Sequence, residues 1–137
     1  MKHLKYIEVT LFLLFVDIAT KLLVLQSPFK EFFNPKINTG ALFGLGQNQN
    51  LFFILVSIVF ILYILSIFDR EIRLHVPFAF ILAGALGNLL DRMIYNGVID
   101  FIDLKFWPVF NLADVFIVGG IIWALIIVLK KETKRKK

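Results

Sequence analysis

Residues 51–68 read LFFILVSIVFILYILSIF, a run without a charged residue. A helix needs about 20 residues to cross the roughly 30 Å hydrocarbon core of a bilayer, so this run predicts a membrane span. The composition of the chain agrees, because 59% of its 137 residues are hydrophobic and only 18% are charged. Soluble domains carry about 25% charged residues, and so short a soluble chain would lack the polar surface to cover itself. We therefore expect a bilayer around this protein.

Three further apolar stretches flank this run, at about 6–25, 76–93 and 112–129. Together the four stretches predict an all-α integral membrane protein with four transmembrane helices and a small β-like and loop region at the outer face. Apart from a basic tail over 130–137, no low-complexity segment or repeat divides the chain. Residues 1–137 are therefore expected to form a single domain.

The first stretch has a second interpretation, a cleaved signal peptide, because a basic start precedes an apolar run. Asp17 and Lys21 interrupt that run, and no small-x-small cleavage site precedes the turn at 26–28. We therefore expect the first 25 residues to remain as a membrane span.

The distribution of Lys and Arg predicts the orientation, since basic residues in short loops are retained on the cytoplasmic side. Ten of the 15 lie in the two tails and in the loop after the second span: Lys2, Lys5, Arg70, Arg73, Lys130, Lys131, Lys134, Arg135, Lys136 and Lys137. The other loops hold Lys30, Lys36 and Lys105, with Arg92 at a border. Both termini should be cytoplasmic, with 26–50 and 94–111 outside. The net charge of +5 then reflects topology beside anionic lipid, and no nucleic acid partner is expected.

The residue types indicate neither a metal nor a cofactor. The absence of cysteine excludes disulfides, thiol catalysis and cysteine ligands. His3 and His75 both fall on the predicted cytoplasmic side, and no His and Glu cluster has the spacing of metal ligands.

Two ionisable residues fall inside the first span. Asp17 and Lys21 are one helical turn apart on the same face, so they can form an ion pair directed into the bundle. An ionised side chain in a bilayer costs on the order of 2.5–3.5 kcal/mol and persists where it has a partner or a role. A structural pair is the favoured interpretation, and direct participation in binding is the alternative.

Two segments follow on the outer side. The stretch NTGALFG at 38–44 combines an amide with glycines, which permit tight turns and close approach of a peptide-like ligand. A plain turn before a helix is the alternative. Upstream, Phe29, Phe32 and Phe33 lie among charged residues, a composition typical of a segment at the lipid headgroup level. That segment can anchor the chain or contact a lipid substrate.

The third span ends in polar residues. Small residues over 83–87 allow helices to pack closely in lipid. Asn88 and Arg92 lie four apart on one face, where an amide and a guanidinium can hold carbonyl or carboxylate groups. Asp91 points in a different direction from its neighbour Arg92, so the two do not form a simple local salt bridge.

Asp100 and Asp114 would lie roughly 21 Å apart on one continuous helix, but Pro108 between them makes that helix improbable. If the chain bends back, both carboxylates can meet at the outer end of the third and fourth spans. Two carboxylates that share a site do not both ionise easily, so one keeps a proton while the other acts as a base. This is the requirement of aspartic proteolysis. The alternative is a pair of solvated carboxylates at a helix end, which is what we expect of Asp103.

Five motifs run through the chain: Asp17-x-x-Thr20-Lys21, Asn38-x-Gly40-x-x-Phe43-Gly44, Gly84-x-x-Gly87-Asn88-x-x-Asp91-Arg92, Val98-x-Asp100-Phe101 and Phe110-Asn111-x-Ala113-Asp114. In residues and order they resemble the lipoprotein signal peptidases, also called signal peptidase II. The resemblance implies an aspartic endopeptidase of the bacterial inner membrane, without a cofactor, that removes signal peptides from prolipoproteins. The cut would fall before a cysteine that carries diacylglycerol. Prolipoproteins and membrane lipid are the implied partners, and the enzyme would act as a monomer.

Carried over motif by motif, the resemblance makes Asp100 and Asp114 the catalytic pair. It places five residues in the substrate site, Asn38, Gly84, Asn88, Arg92 and Asn111, and three in supporting positions, Asp17, Lys21 and Gly40. Two features depart from the family: Leu42 stands where another residue is more usual, and the outer loops are short.

The residues alone leave one other class open, a non-enzymatic channel or lipid-binding module with four helices. A pore needs polar positions along the full depth of several helices, yet the second span offers only Ser57, Tyr63 and Ser66. A pocket at the outer face fits the pattern better.

Overall fold

The computed structural model describes residues 2–40, 48–68 and 72–135. In chain order its elements are α1 (Lys2–Val24), α2 (Phe29–Phe33), β1 (Lys36–Asn38), α3 (Asn50–Ile67), α4 (His75–Tyr95), β2 (Val98–Asp100) and α5 (Leu112–Arg135), with a short 3-10 helix at Ile72–Leu74. The protein is thus mostly helical and has one small sheet, as the sequence predicts.

Three helices are long and apolar enough to cross a membrane: Asn50–Ile67, His75–Tyr95 and Leu112–Lys131. They correspond to the second, third and fourth predicted spans, with ends that differ by no more than two residues. Helix α1 is also long, but every stretch of 18 residues within it contains at least three charged residues. Its charges therefore set α1 apart from the three apolar helices in the described part of the chain.

Helix α4 lies at the centre of the bundle and packs against α1, α3 and α5. Inside the protein, 56% of its span is buried, against 17% for α3 and 11% for the span in α5. Its small residues allow the close packing that the sequence suggests: a Cβ on Gly84 would collide with the carbonyl oxygen of Ala113, and one on Gly87 with the carboxylate of Asp17.

The sheet is built from segments far apart in sequence. Strands β1 and β2 pair antiparallel, with Lys36 opposite Asp100 and Asn38 opposite Val98. Asn96 ends α4 in the left-handed conformation, with a φ of 57°, and turns the chain into β2. The sheet therefore lies directly beyond the end of α4.

The chain bends back between β2 and α5, as Pro108 leads one to expect. Ile102 and Phe110 form a β-bridge, in which each N–H donates to the other residue's carbonyl oxygen at 2.8 and 3.1 Å. This bridge closes the loop over 103–109 and brings the start of α5 beside β2.

Candidate active site

Asp100 and Asp114 line one cavity of about 90 Å³ between the sheet, α4 and α5. Asp100 is the last residue of β2, and Asp114 lies in the first turn of α5. The cavity is lined by both acids and by Asn38, Gly40, Asn88, Arg92, Val98, Pro108 and Val109. The structure therefore brings the two predicted acids together with most of the predicted polar residues.

Asp100 is 4% exposed and accepts two side-chain hydrogen bonds. The amide of Asn111 donates to its Oδ1 at 2.8 Å, and the amide of Asn38 donates to its Oδ2 at 3.0 Å. Burial raises the pKa of Asp100 to about 6, and the negative charge of Asp114 acts in the same direction, while the two amide hydrogen bonds offset part of the effect. Asp100 is therefore suited to hold a proton in a water-poor site.

Asp114 is held by the start of its own helix. Its Oδ2 accepts the backbone N–H of Asn111 at 3.1 Å, and the side-chain Oδ1 of Asn111 accepts the N–H of Asp114 at 3.1 Å. This reciprocal arrangement is a capping box, which satisfies two N–H groups at the helix start. The other oxygen of Asp114 accepts the amide of Asn88 at 2.9 Å. The beginning of α5 thus fixes the position of this acid.

Arg92 is 9% exposed and lies among the cavity residues. Its Nη2 donates to the carbonyl oxygen of Gly40 at 2.8 Å, and its guanidinium carbon lies 4.7 Å from the ring centroid of Phe53. Its Nη1 is buried without a hydrogen-bond partner in the described part of the chain. A buried donor of this kind can donate a hydrogen bond to a ligand carbonyl oxygen.

Gly40 and Asn38 line the cavity beside Arg92. The N–H of Gly40 donates to Oδ1 of Asn38 at 3.0 Å, which leaves the amide nitrogen of Asn38 for Asp100. The remainder of the 38–44 motif, Leu42, Phe43 and Gly44, lies outside the described residues.

The ion pair expected within α1 is present, and a third residue completes it. Lys21 Nζ lies 2.8 Å from the carboxylates of both Asp17 and Asp91, and Asp17 and Lys21 are 0% and 2% exposed. The carboxylates in turn accept backbone N–H groups, from Ala113 to Asp17 at 2.9 Å and from Ile99 to Asp91 at 3.1 Å. This cluster ties α1 and α4 to both chain segments that carry the acids.

Besides the ion cluster, three residues singled out from the sequence are not in the described cavity lining: Asn111, which instead contacts both acids, Gly84 and Asp103. Gly84 packs beneath the site against Ala113. Asp103 is on the surface beside Lys105, whose ammonium lies 2.9 Å away and whose hydrogen bonds lower the pKa of Asp103. Asp103 is thus solvated, as expected. Within 2–40, 48–68 and 72–135, no three His, Asp or Glu side chains are grouped as metal ligands.

Sequence reasoning missed two residues that hold Arg92. Asn50 donates from its amide to the carbonyl oxygen of Arg92 and to Oδ1 of Asn96, both at 2.9 Å. The available signal for Asn50 was an amide residue directly before the charge-free run. Phe53 gave no signal, because one aromatic residue among many apolar ones does not stand out in such a run.

Comparisons with known proteins agree on one family. Residues 9–130 match the family described as Signal peptidase (SPase) II. A lipoprotein signal peptidase of Caldanaerobacter subterraneus subsp. tengcongensis is 38% identical over 90% of this chain and 96% of its own length. The lipoprotein signal peptidase of Caldicellulosiruptor bescii is 44% identical over 69% of this chain, and the match spans 64% of that protein.

A solved structure described as a bacterial membrane enzyme has the same fold. The two superpose with a TM-score of 0.83 and 28% sequence identity, over 97% of this chain and 92% of the other. The likeness therefore extends to the packing of all the main elements.

Proposed function

This chain belongs to the signal peptidase II family, and from that premise we propose that it removes signal peptides from prolipoproteins. The bond cleaved is the one on the amino side of a diacylglyceryl-modified cysteine. The observation that carries the proposal is the arrangement of Asp100 and Asp114 on one small cavity, each with two hydrogen bonds that fix its orientation.

The chemistry we propose is that of an aspartic protease. One carboxylate of the pair takes a proton from a water molecule as the water oxygen bonds to the scissile carbonyl carbon. The other, protonated acid donates a hydrogen bond to the carbonyl oxygen and stabilises the charge that develops there. When the C–N bond breaks, the proton taken from water passes to the leaving nitrogen. The raised pKa of Asp100 supports a shared proton in the pair.

Arg92 and the 38–40 segment are suited to hold the substrate backbone. Arg92 has a buried donor to spare, and Asn38 and Gly40 line the same cavity. The amides of Asn88 and Asn111 already bind the acids, so their contribution is to position the acids beside the substrate.

We further propose that α1 is a fourth membrane span. Its charges Asp17 and Lys21 are buried and paired with each other and with Asp91, so they are not presented to lipid. Both termini would then lie in the cytoplasm of a bacterial cell and the cavity at the outer face of the inner membrane, as the Lys and Arg distribution favours. At that depth an acyl-bearing cysteine can reach the site from the bilayer.

The test is cleavage of a prolipoprotein peptide by the purified protein in detergent. Diacylglyceryl-cysteine peptide should be cut before the cysteine, and the unmodified peptide should not, because acyl burial contributes about 0.8 kcal/mol per methylene to binding. Asp114→Asn, matched for folding, is the inactive control. Equal cleavage of both peptides by the wild type would contradict the proposed substrate, and activity in the control would contradict the proposed site.

A further inference from the structure

Three asparagine side chains donate to the two acids, and in each the amide orientation is set by a third group. The Oδ1 of Asn38 accepts the N–H of Gly40, and the Oδ1 of Asn111 accepts the N–H of Asp114. Since an asparagine places its oxygen toward a donor and its nitrogen toward an acceptor, these backbone groups direct both nitrogens to Asp100.

Asn88 differs, because the group that orients it is a charged side chain from another helix. Lys21 Nζ donates to Oδ1 of Asn88 at 3.1 Å, and the amide nitrogen of Asn111 donates to the same oxygen at 3.2 Å. An ammonium has three donors and no acceptor, so only the oxygen of Asn88 can face it. The nitrogen of Asn88 must then face Asp114, to which it donates at 2.9 Å.

We propose that Lys21 is a positioning residue: by fixing the orientation of the Asn88 amide, it holds the carboxyl group of Asp114 in place for the reaction. The inference deepens, and rests on, the proposed proteolytic function. With its nitrogen toward Asp114, the Asn88 amide donates to a carboxyl oxygen, whereas the flipped amide would present a second acceptor to that oxygen and lose the contact. The ammonium of Lys21 selects the first arrangement.

The surrounding charges are consistent with a single proton on the pair. The ionisable groups that face this site from α1, α4 and β2 are Asp17, Lys21, Asp91, Arg92 and Asp100. Asp17 and Asp91 are both engaged by Lys21 at 2.8 Å. The pair Asp100 and Asp114 has only Arg92 as a further cation in the described cavity lining. Asp100 is the more deeply buried of the two acids, and burial raises its pKa.

The experiment separates positioning from mere ion pairing. Asp17→Asn removes one carboxylate from the ion cluster but leaves the contact between Lys21 and Asn88. The double change Asp17→Asn with Lys21→Met removes that contact and has the net charge of the wild type, one unit below that of Asp17→Asn. Relative to Asp17→Asn, we expect the double variant to lose about 10- to 100-fold in kcat with KM within about twofold, because the substrate contacts remain. The acidic limb of its kcat profile should also move to higher pH.

Asn88→Ala is the second variant, since it breaks the same connection without touching the ion cluster and remains informative if the double variant does not fold. It should show the same shift of the acidic limb. A double variant that matches Asp17→Asn in kcat and in pH profile, or Asn88→Ala with the wild-type profile, would overturn the proposal.

A measurement that does not depend on cleavage distinguishes failure of the positioning role from failure of the proposed proteolytic function. In protein labelled with carboxyl-¹³C aspartate, the Asp114 signal, assigned by its absence in Asp114→Asn, should differ between Asp17→Asn and the double variant at the same pH, because the double variant loses the contact that orients Asn88. An unchanged Asp114 signal overturns the positioning role. If the signal changes as expected but the wild-type protein cleaves nothing, only the proteolytic function is overturned.

Discussion

The side-chain amide of Asn111 donates to Asp100 at 2.8 Å while its backbone N–H donates to Asp114 at 3.1 Å. One residue thus holds both acids, because the residue that caps α5 also faces the end of β2. The geometry of the acid pair is therefore tied to the helix cap, and a change at position 111 acts on stability and on chemistry by separate atoms.

Asn111→Ser should separate those two effects. Serine still offers an oxygen to cap the N–H of Asp114, so the melting temperature should fall less than in Asn111→Ala, which loses a cap worth about 1 kcal/mol. Both variants lose the donor to Asp100, so both should lose kcat to a similar extent. Thermal unfolding and single-turnover cleavage measure the two effects. Full activity in Asn111→Ser would show that the bond to Asp100 is not needed.

Asp100 and Asp114 should behave as one unit in substitution. Asn keeps the size of Asp but does not take up or release the proton, so Asp100→Asn and Asp114→Asn should each abolish nearly all cleavage, and the double variant should lose little more. Asp103→Asn is the matched control, since Asp103 is a surface carboxylate three residues from Asp100. It should stay within several-fold of wild type. Near-normal cleavage by a folded variant of either member of the pair would remove the aspartic mechanism.

The pH profile should report the buried acid. Because burial raises the pKa of Asp100 to about 6, the free enzyme holds the shared proton below that pH and loses it above. kcat/KM should therefore decline above about pH 6, by about tenfold per unit. A bound substrate excludes more water from Asp100, so the same limb in kcat should lie at higher pH. Limbs that coincide in the two profiles would mean that substrate does not desolvate this acid.

The raised pKa of Asp100 also predicts how the stability of the protein changes with pH. The ordinary pKa of Asp100 is 3.8, and its raised folded value means that the folded state binds the proton more tightly than the unfolded state. The contribution of this residue to stability should therefore fall as the pH rises from about 4 to about 6 and stay low above that range. Unfolding of wild type compared with Asp100→Asn across this range measures it. A difference that does not vary with pH would contradict the raised value.

The fold could be predicted from sequence where hydropathy determines it and not where distant contacts do. The charge-free run gave α3 to within one residue at each end, and Pro108 gave the bend before α5. The pairing of β1 with β2 joins residues at least 60 positions apart, and three-residue strands carry no alternation from which register can be read. The membership of Asp91 in the ion cluster was missed for the same reason, because its partner Lys21 lies on another helix.

Topology offers a test that is independent of the chemistry. If Lys and Arg retain their segments in the cytoplasm, reporter fusions after Lys137 and within 69–75 should behave as cytoplasmic, and one at Gln47 as external. If the N-terminus is cytoplasmic as well, the number of crossings between the termini is even and α1 must span. The reverse pattern would place the cavity on the cytoplasmic side and contradict the proposed substrate route.

kcat/KM should depend on the planar guanidinium of Arg92 and on the Phe53 ring that it contacts. Arg92→Lys replaces a fork that reaches Gly40 with a point charge, so kcat/KM should fall by at least about tenfold. Phe53→Leu keeps an apolar side chain but removes the ring 4.7 Å from the guanidinium. It should cost about 2- to 30-fold, the equivalent of roughly 0.5–2 kcal/mol.

The control is Phe15→Leu, because Phe15 is 67% exposed on α1 and leaves the cavity lining untouched. It should cleave as the wild type does. If Phe53 acts through Arg92, Arg92→Lys combined with Phe53→Leu should cost little more than Arg92→Lys alone, since contacting residues are not additive. Fully additive losses in kcat/KM would mean that Phe53 serves only the packing of α3 on α4, and that the guanidinium is oriented by its bond to Gly40.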